Sequence, residues 1–229
     1  MDAETAFKQA EKTGFIRYSF SPNNRTLVIV DGAHTSMGII QVEPDKVKMI
    51  DLDEYDQMEP LPTVKPPKPD YTNGVKGLIT VEQIRMVSKD ASANAKNNET
   101  YIAFYVPEGS SNLSFCGAYR LDTDKWKYTQ VYQAKDFRGN FEGKCLVTVL
   151  NMDIVDHLLS FWRGCGETGT IEISLGNEYP VQFNLKGNTY LAAPYSVESN
   201  SPQVYEQIVE YFKATPSLEE TFGDAEEML

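Results

Sequence analysis

The feature that most constrains this chain is a segment order written twice between Leu78 and Tyr195: a strand, a helix and three further strands. The first copy opens at Leu78-Ile79-Thr80, runs through a helical stretch from Val81 to about Asn94, and adds strands over Tyr101 to Val106, Asn112 to Leu121 and Trp126 to Gln133. The second opens at Lys144 to Leu150, forms a helix over Met152 to Gly164, and ends in strands over Thr170 to Leu175, Val181 to Lys186 and Thr189 to Tyr195. A doubled unit of this kind buries two helices against one continuous antiparallel sheet, an architecture that shapes a surface rather than a catalytic pocket. Local signals agree with these boundaries. Thr80 and Gln83 form a capping box, and Ile84, Val87 and Ala91 fall on one helical stripe. Asn151 caps the second helix, Val155, Leu158, Leu159 and Trp162 line its stripe, and Gly164 and Gly166 end it. Ile171, Ile173 and Leu175, and again Val181, Phe183 and Leu185, alternate with polar residues, the pattern of a half-buried sheet.

Residues 1–56 form a shorter unit, with a helical start over Ala3 to Lys12 and strands over Phe15 to Phe20, Arg25 to Val30, Gly38 to Val42 and Val47 to Leu52. Residues 57–76 read as a connector, because Pro60, Pro62, Pro66, Pro67 and Pro69 exclude helix and central strand. Residues 77–195 hold the doubled unit, and residues 196–229 are an acidic tail. In that tail Ser201-Pro202 can start a short helix reaching Phe212, with Val204, Tyr205, Ile208 and Phe212 on one side. Beyond Thr215 the composition is too poor in apolar residues to form a core alone.

The formal charge of −12 is uneven: eight acidic residues and one basic residue follow Tyr195, which leaves residues 1–195 at only −5. A nearly balanced body disfavours a nonspecific basic nucleic-acid binder, yet it allows one that gathers its Lys and Arg on a single face. Cys116, Cys145 and Cys165 form no close-spaced ligand pair and suit reduced, buried thiols. With no apolar run near the roughly 20 residues that span a bilayer and no secretion signal at Met1-Asp2-Ala3-Glu4, the expectation is an intracellular protein with no membrane partner.

At this point the pattern resembles a known family, the ring-shaped DNA sliding clamps, meaning proliferating cell nuclear antigen and the processivity clamps of large DNA phages. Four pieces carry the resemblance. They are Ile171 to Leu175 with Glu178-Tyr179-Pro180-Val181 and Thr189-Tyr190-Leu191-Ala192-Ala193-Pro194; the doubled unit itself; the connector at Pro60 to Tyr71; and the Asp-x-x-His loop at Asp31 to His34. The implied fold class is α+β, the DNA-clamp or processivity fold, with repeated β-α-β-β-β units and helices packed on one face of antiparallel sheets. A clamp normally has four helix-bearing units and this chain has three, so its N-terminal domain is half size. Residues 3–52 fit the first half of that domain through the Asp31 to His34 loop, or the second half through the position of Val47 to Leu52.

The resemblance implies a non-enzymatic DNA sliding clamp or polymerase processivity factor, with duplex DNA, a DNA polymerase and a clamp loader as partners. It implies a homo-oligomer, a trimer if a ring, and no cofactor or metal. Phosphate contacts fall to Lys8, Lys12, Arg85, Lys89, Lys96 and Arg163, the alternative being ordinary solvated helix faces. A partner-peptide pocket falls to Leu61 and Val64 on one wall and to Pro180, Tyr190, Ala193 and Pro194 on the other, unless Tyr190 and Pro180 simply close the sheet. Subunits would join through the edges at Val47, Met49 and Ile50 and at Tyr128 and Val131. The tail segment Thr215 to Phe222 matches the clamp-binding peptide pattern only at Leu218 and Phe222. An enzyme is disfavoured. The chain has only two histidines, His34 and His157, and no Gly-rich phosphate loop, His-Glu-x-x-His motif or paired Cys ligands. The competing readings are a clamp-fold interaction module that closes no ring and a viral structural β-protein.

Overall fold

A computed structural model describes residues 1–21, 25–43, 58–61, 69, 71, 74–109, 112–122, 124–139, 141, 145–176, 179–197 and 201–217. Both repeat helices start on the caps their sequences carry. In α2 (Val81–Ala95) the Thr80 hydroxyl accepts the Gln83 N–H at 3.0 Å while the Gln83 side chain accepts the Thr80 N–H at 2.9 Å. This reciprocal cap satisfies two of the donors a helix start leaves open. In α3 (Met152–Gly164) Asn151 accepts the Asp153 N–H, and the chain leaves the helix through Gly166 at φ 68°. The N-terminal helix α1 (Ala3–Lys12) buries Ala3, Ala6, Phe7 and Ala10, with Phe7 set edge-on against Tyr18.

After α1 come β1 (Phe15–Ser21), β2 (Thr26–Asp31) and β3 (Ser36–Gln41), then a short β4 (Glu59–Pro60). The first repeat copy is β5 (Val75–Thr80), α2, β6 (Thr100–Val106), β7 (Ser114–Asp122) and β8 (Lys125–Tyr128). Two further strands, β9 (Tyr132–Gln133) and β10 (Lys135–Gly139), follow it. The second copy is β11 (Leu146–Asn151), α3, β12 (Thr170–Leu175), β13 (Val181–Leu185) and β14 (Asn188–Ala192). A last helix, α4 (Pro202–Ala214), starts with Pro in its first turn.

One expectation fails in an instructive way, because the strands form two sheets rather than one. The opening strands of the two copies are exchanged: β5 pairs with β12 of the second copy, and β11 pairs with β6 of the first. This gives a five-stranded sheet, β11-β6-β7-β8 with β9 also on β7, and a nine-stranded sheet ordered β10-β5-β12-β13-β14-β3-β2-β1-β4. Periodicity reveals which face of a strand is buried but carries nothing about which partner it takes, so the exchange leaves no trace in the pattern. The larger sheet runs without a break into the N-terminal unit through antiparallel pairing of β3 with β14.

Helices α2, α3 and α1 lie in a row, with α3 touching both neighbours. Gly164 permits the α1–α3 contact, since a Cβ there would sit 2.1 Å from the Gln9 side-chain oxygen. The main core lies between these helices and the inner faces of the two sheets; it includes Phe7, Ile84, Phe104, Trp162, Phe183 and Tyr190. A second core lies on the outer face of the five-stranded sheet, where Val204, Ile208 and Phe212 of α4 pack on Tyr105, Cys116, Trp126 and Val149. The burial of each such side chain is worth ~1.5–3 kcal/mol.

Smaller corrections concern the strands near residue 130 and the connector. The strand expected over Trp126 to Gln133 divides into β8 and β9, because Thr129 turns and offers its hydroxyl, in place of its carbonyl, to the Gly117 N–H at 3.0 Å. β5 begins at Val75, before the expected start at Leu78. β10 lacks an apolar alternation because both its faces are largely exposed at a sheet edge. The strand expected over Val47 to Leu52 lies outside the described residues.

Candidate functional site

On the outer face of the nine-stranded sheet an apolar row crosses three strands. Met37 of β3 stands opposite Val30 of β2 on one side and Leu191 of β14 on the other. Leu61 closes the groove over β1, where its N–H donates to the Tyr18 carbonyl at 2.6 Å, and Pro180 closes it beyond β14. With Ala193, the loop residues His34 and Thr35, and Ser36 at the start of β3, these side chains bound a cavity of about 280 Å³. The wall at Pro180 is tied to the connector, because the Tyr71 hydroxyl donates to the Pro180 carbonyl at 2.5 Å. Burial pushes that phenol up to about 12.

The loop at the groove's end is held by its own Asp. Asp31 accepts both the N–H of Thr35, at 2.8 Å, and its hydroxyl, at 2.6 Å. His34 adopts φ 59°, which points its ring at the Arg17 guanidinium, and Arg17 in turn pairs with Glu59 at 3.5 Å. A neighbouring hollow of about 390 Å³ takes in Pro194, Asp31, Asn151, Asp153 and His157.

The expected pocket residues divide accordingly. Leu61, Pro180 and Ala193 line the groove together, and Pro194 lines the adjoining hollow with Ala193. Tyr190 does not reach the groove; it is fully buried on the helix side, edge-on to Trp162 at 5.4 Å. Successive residues of a strand face opposite ways, so Leu191 takes the place expected of Tyr190. Val64 lies outside the described residues. The sequence reading missed Val30, Met37 and Leu191; their membership follows from the β2-β3-β14 register, which needs the pairing partners.

The helix row places the expected phosphate contacts near one another with mixed company. Lys8, Lys12, Lys89 and Arg163 are exposed on α1, α2 and α3. Arg85 is engaged by Glu82 at 2.8 Å, and Lys96 sits past the end of α2 at φ 56°. Counting the three helices, five basic residues face six acidic ones, Glu4, Glu11, Glu82, Asp90, Asp153 and Asp156. Asp156 accepts the Ser88 hydroxyl at 2.6 Å where α2 and α3 meet, and burial raises its carboxyl above the usual range.

Of the expected subunit edges, Val47, Met49 and Ile50 lie outside the described residues. Val131 is 1% exposed and belongs to the second core, so it offers nothing to a partner. Tyr128 stacks on Tyr211 of α4 with ring centres 4.7 Å apart. Among the described residues no group of three or more His, Cys, Asp or Glu could hold a metal ion, and no helix is long and apolar enough to cross a membrane. The three cysteines are free, and burial raises the Cys116 and Cys165 thiols well above their ordinary value, Cys165 to about 12.

The exchanged sheets, the row of helices on their inner side and the grooved outer face define the DNA sliding-clamp fold. The chain is similar to the PCNA2–PCNA3 complex from Sulfolobus tokodaii, with a TM-score of 0.56 and 13% identity over 83% of this chain and 96% of that one. It is similar to PCNA from Thermococcus kodakaraensis, with a TM-score of 0.53, 13% identity and coverage of 84% and 96%. It is also similar to the β subunit of DNA polymerase III from Borrelia burgdorferi, with a TM-score of 0.53, 14% identity and coverage of 85% and 63%. At such identities the likeness is one of fold. No family model and no curated protein matches the sequence.

Proposed function

We propose that this chain is a sliding-clamp-type tether: it docks an extended apolar peptide of a DNA polymerase or other replication protein in the groove while its helix row lies along duplex DNA. It catalyses nothing itself. The observation that carries the reading is the Val30–Met37–Leu191 row, closed by Leu61 and Pro180, in a chain with the clamp fold. An aromatic or leucine anchor entering such a groove supplies most of a peptide's affinity. Duplex DNA would be held loosely and without sequence preference by Lys8, Lys12, Lys89 and Arg163. A closed ring would be a homotrimer placed on DNA by a clamp loader. The deciding experiment is polymerase stimulation on primed circular DNA: long products that depend on this protein support the tether, and no stimulation of any cognate polymerase refutes it.

A second reading is favoured by the balanced helix row. With more acids than bases on α1, α2 and α3, the attraction that would hold a ring on DNA is weak, which suits an interaction module of clamp fold that closes no ring. Peptide binding in the groove without any protection of circular DNA would select this module.

A further inference from the structure

Three of the four described sheet ends are closed by their own backbone. β10 carries a bulge with Asp136 at φ 47° between Lys135 and Arg138. β4 is two residues long and ends in Pro60. β11 receives the Tyr195 N–H on the Val149 carbonyl at 2.7 Å. Such devices keep a sheet from accepting a foreign strand. The register shift in the β7–β8 ladder lies in β7, between Arg120 and Asp122, so β8 itself carries no such device and its edge is closed by side chains from elsewhere.

The register shows which backbone groups of β8 face outward. Arg120, the partner of Trp126, donates its N–H to the Glu99 carbonyl on the β6 side, and Thr129 donates to Gly117 on the β7 side. Alternation therefore turns the backbone groups of Asp124, Trp126 and Tyr128 away from β7. Gln207 of α4 accepts the Trp126 N–H at 3.4 Å and donates to the Asp124 carbonyl at 2.7 Å. One carboxamide thus supplies the acceptor and donor that a peptide of an added strand would bring. One turn along α4, the Tyr211 hydroxyl donates to the Thr129 carbonyl at 2.7 Å, and its ring covers Tyr128. The helix is anchored behind these contacts by Val204, Ile208 and Phe212, the last stacked on Tyr105 at 5.1 Å.

The strand that β8 would otherwise accept is indicated by the rest of the fold. In each unit three strands follow the helix, and the third strands of two units, β3 and β14, pair antiparallel with one another. β8 is the third strand of the remaining unit and has no such mate among the described residues. Among the described residues of a second copy, with β3 and β14 already joined, the third strand left without a mate is again β8.

We propose that α4 is an autoinhibitory cap: while docked it closes the β8 edge, and its displacement lets β8 pair antiparallel with β8 of a second copy in a twofold dimer. The inference rests on sheet geometry and stands whether or not the groove binds replication proteins. The test uses the full chain. Ile208→Asp places a carboxylate under α4 and undocks it. Its light-scattering mass should rise with concentration toward twice that of the unaltered protein, and adding Tyr128→Pro, which deletes an outward N–H, should abolish the rise. A folded Ile208→Asp protein that keeps the unaltered mass overturns the proposal. So does association that survives Tyr128→Pro, since it would come from the uncovered apolar face instead. If Ile208→Asp does not fold, the double variant Gln207→Ala with Tyr211→Phe keeps the apolar anchor. Loss of the cap should then speed Trp126 amide exchange by about threefold to tenfold, and an unchanged exchange rate overturns the proposal.

Discussion

Replacing Met37 with Glu tests the groove at its middle. Met37 is half-buried at the centre of the row formed with Val30 and Leu191, so its side chain forms floor rather than core. An aromatic anchor buries ~150–250 Å², which at ~25 cal/mol per Å² corresponds to about 4–6 kcal/mol of gross attraction. A carboxylate in the floor must either lose its water when the anchor enters or hold the anchor out, and either outcome forfeits roughly half of that attraction. A loss of about 2–3 kcal/mol weakens binding by about 30-fold to 150-fold. The assay is a fluorescence anisotropy titration of the unaltered protein and the Met37→Glu variant with a labelled peptide carrying a leucine and an aromatic residue. Thermal unfolding of both proteins should agree closely, because the new carboxylate remains in contact with water in the unliganded groove. Equal peptide affinity for the two folded proteins would refute the assignment of this face as the docking site.

Three further outcomes are expected. Charge reversal at exposed Lys8 and Lys89, on α1 and α2, should abolish duplex association at low salt in a mobility or anisotropy assay; reversal at exposed Lys135 of β10 should leave it unchanged. Thr80→Ala removes the capping box at the start of α2 and should lower stability by ~1 kcal/mol in urea unfolding. Asp156 has its folded carboxyl raised by burial above the ordinary 3.8, so it favours folding at low pH and loses that contribution as pH rises through the raised value. Asp156→Asn can still accept the Ser88 hydroxyl, so it should raise the melting temperature at neutral pH, with the gain vanishing below the ordinary carboxylate range.

What was legible in the sequence is what local physics sets. The limits of α1 and α3 were readable to the residue, since the spacing of Phe7 and Ala10, or of Val155, Leu158 and Trp162, lies within one element. Which strands meet was not readable, because the exchange of β5 and β11 depends on contacts 40 to 50 residues apart for β11 with β6 and 90 to 100 apart for β5 with β12. The groove suffered from the same gap. Resemblance in the closing segment places Pro180, Ala193 and Tyr190 together on one wall, but it does not fix the side to which Tyr190 points. Its strand phase places it against Trp162 and puts Leu191 outside. The role of α4 was half visible: its apolar stripe of Val204, Tyr205, Ile208 and Phe212 marked a helix with one apolar side, but nothing local told that it would pack on the five-stranded sheet or that Gln207 would meet a strand edge.

The two outer sheet faces bear on function when set side by side. Both present apolar side chains away from the main core. On the five-stranded sheet the exposed row would be Tyr101, Tyr105, Trp126 and Val149, and the chain covers it with a helix of its own whose polar residues also close the adjoining edge. On the nine-stranded sheet the row of Val30, Met37 and Leu191 is walled at each end by Leu61 and Pro180; Val30 and Leu191 are nearly buried, and the floor opens at half-buried Met37. An apolar surface that exists only to support a fold gains stability by being covered, as the first face is. The second is bordered by a loop held rigid through Asp31 and by a proline tied to Tyr71, so its walls are built to keep their spacing. Walls fixed around a floor that opens at Met37 would reduce the ordering cost of a visiting peptide. On the proposed function one face serves as interior and the other as a binding surface, and the docked state of α4 leaves the groove free while β8 is closed.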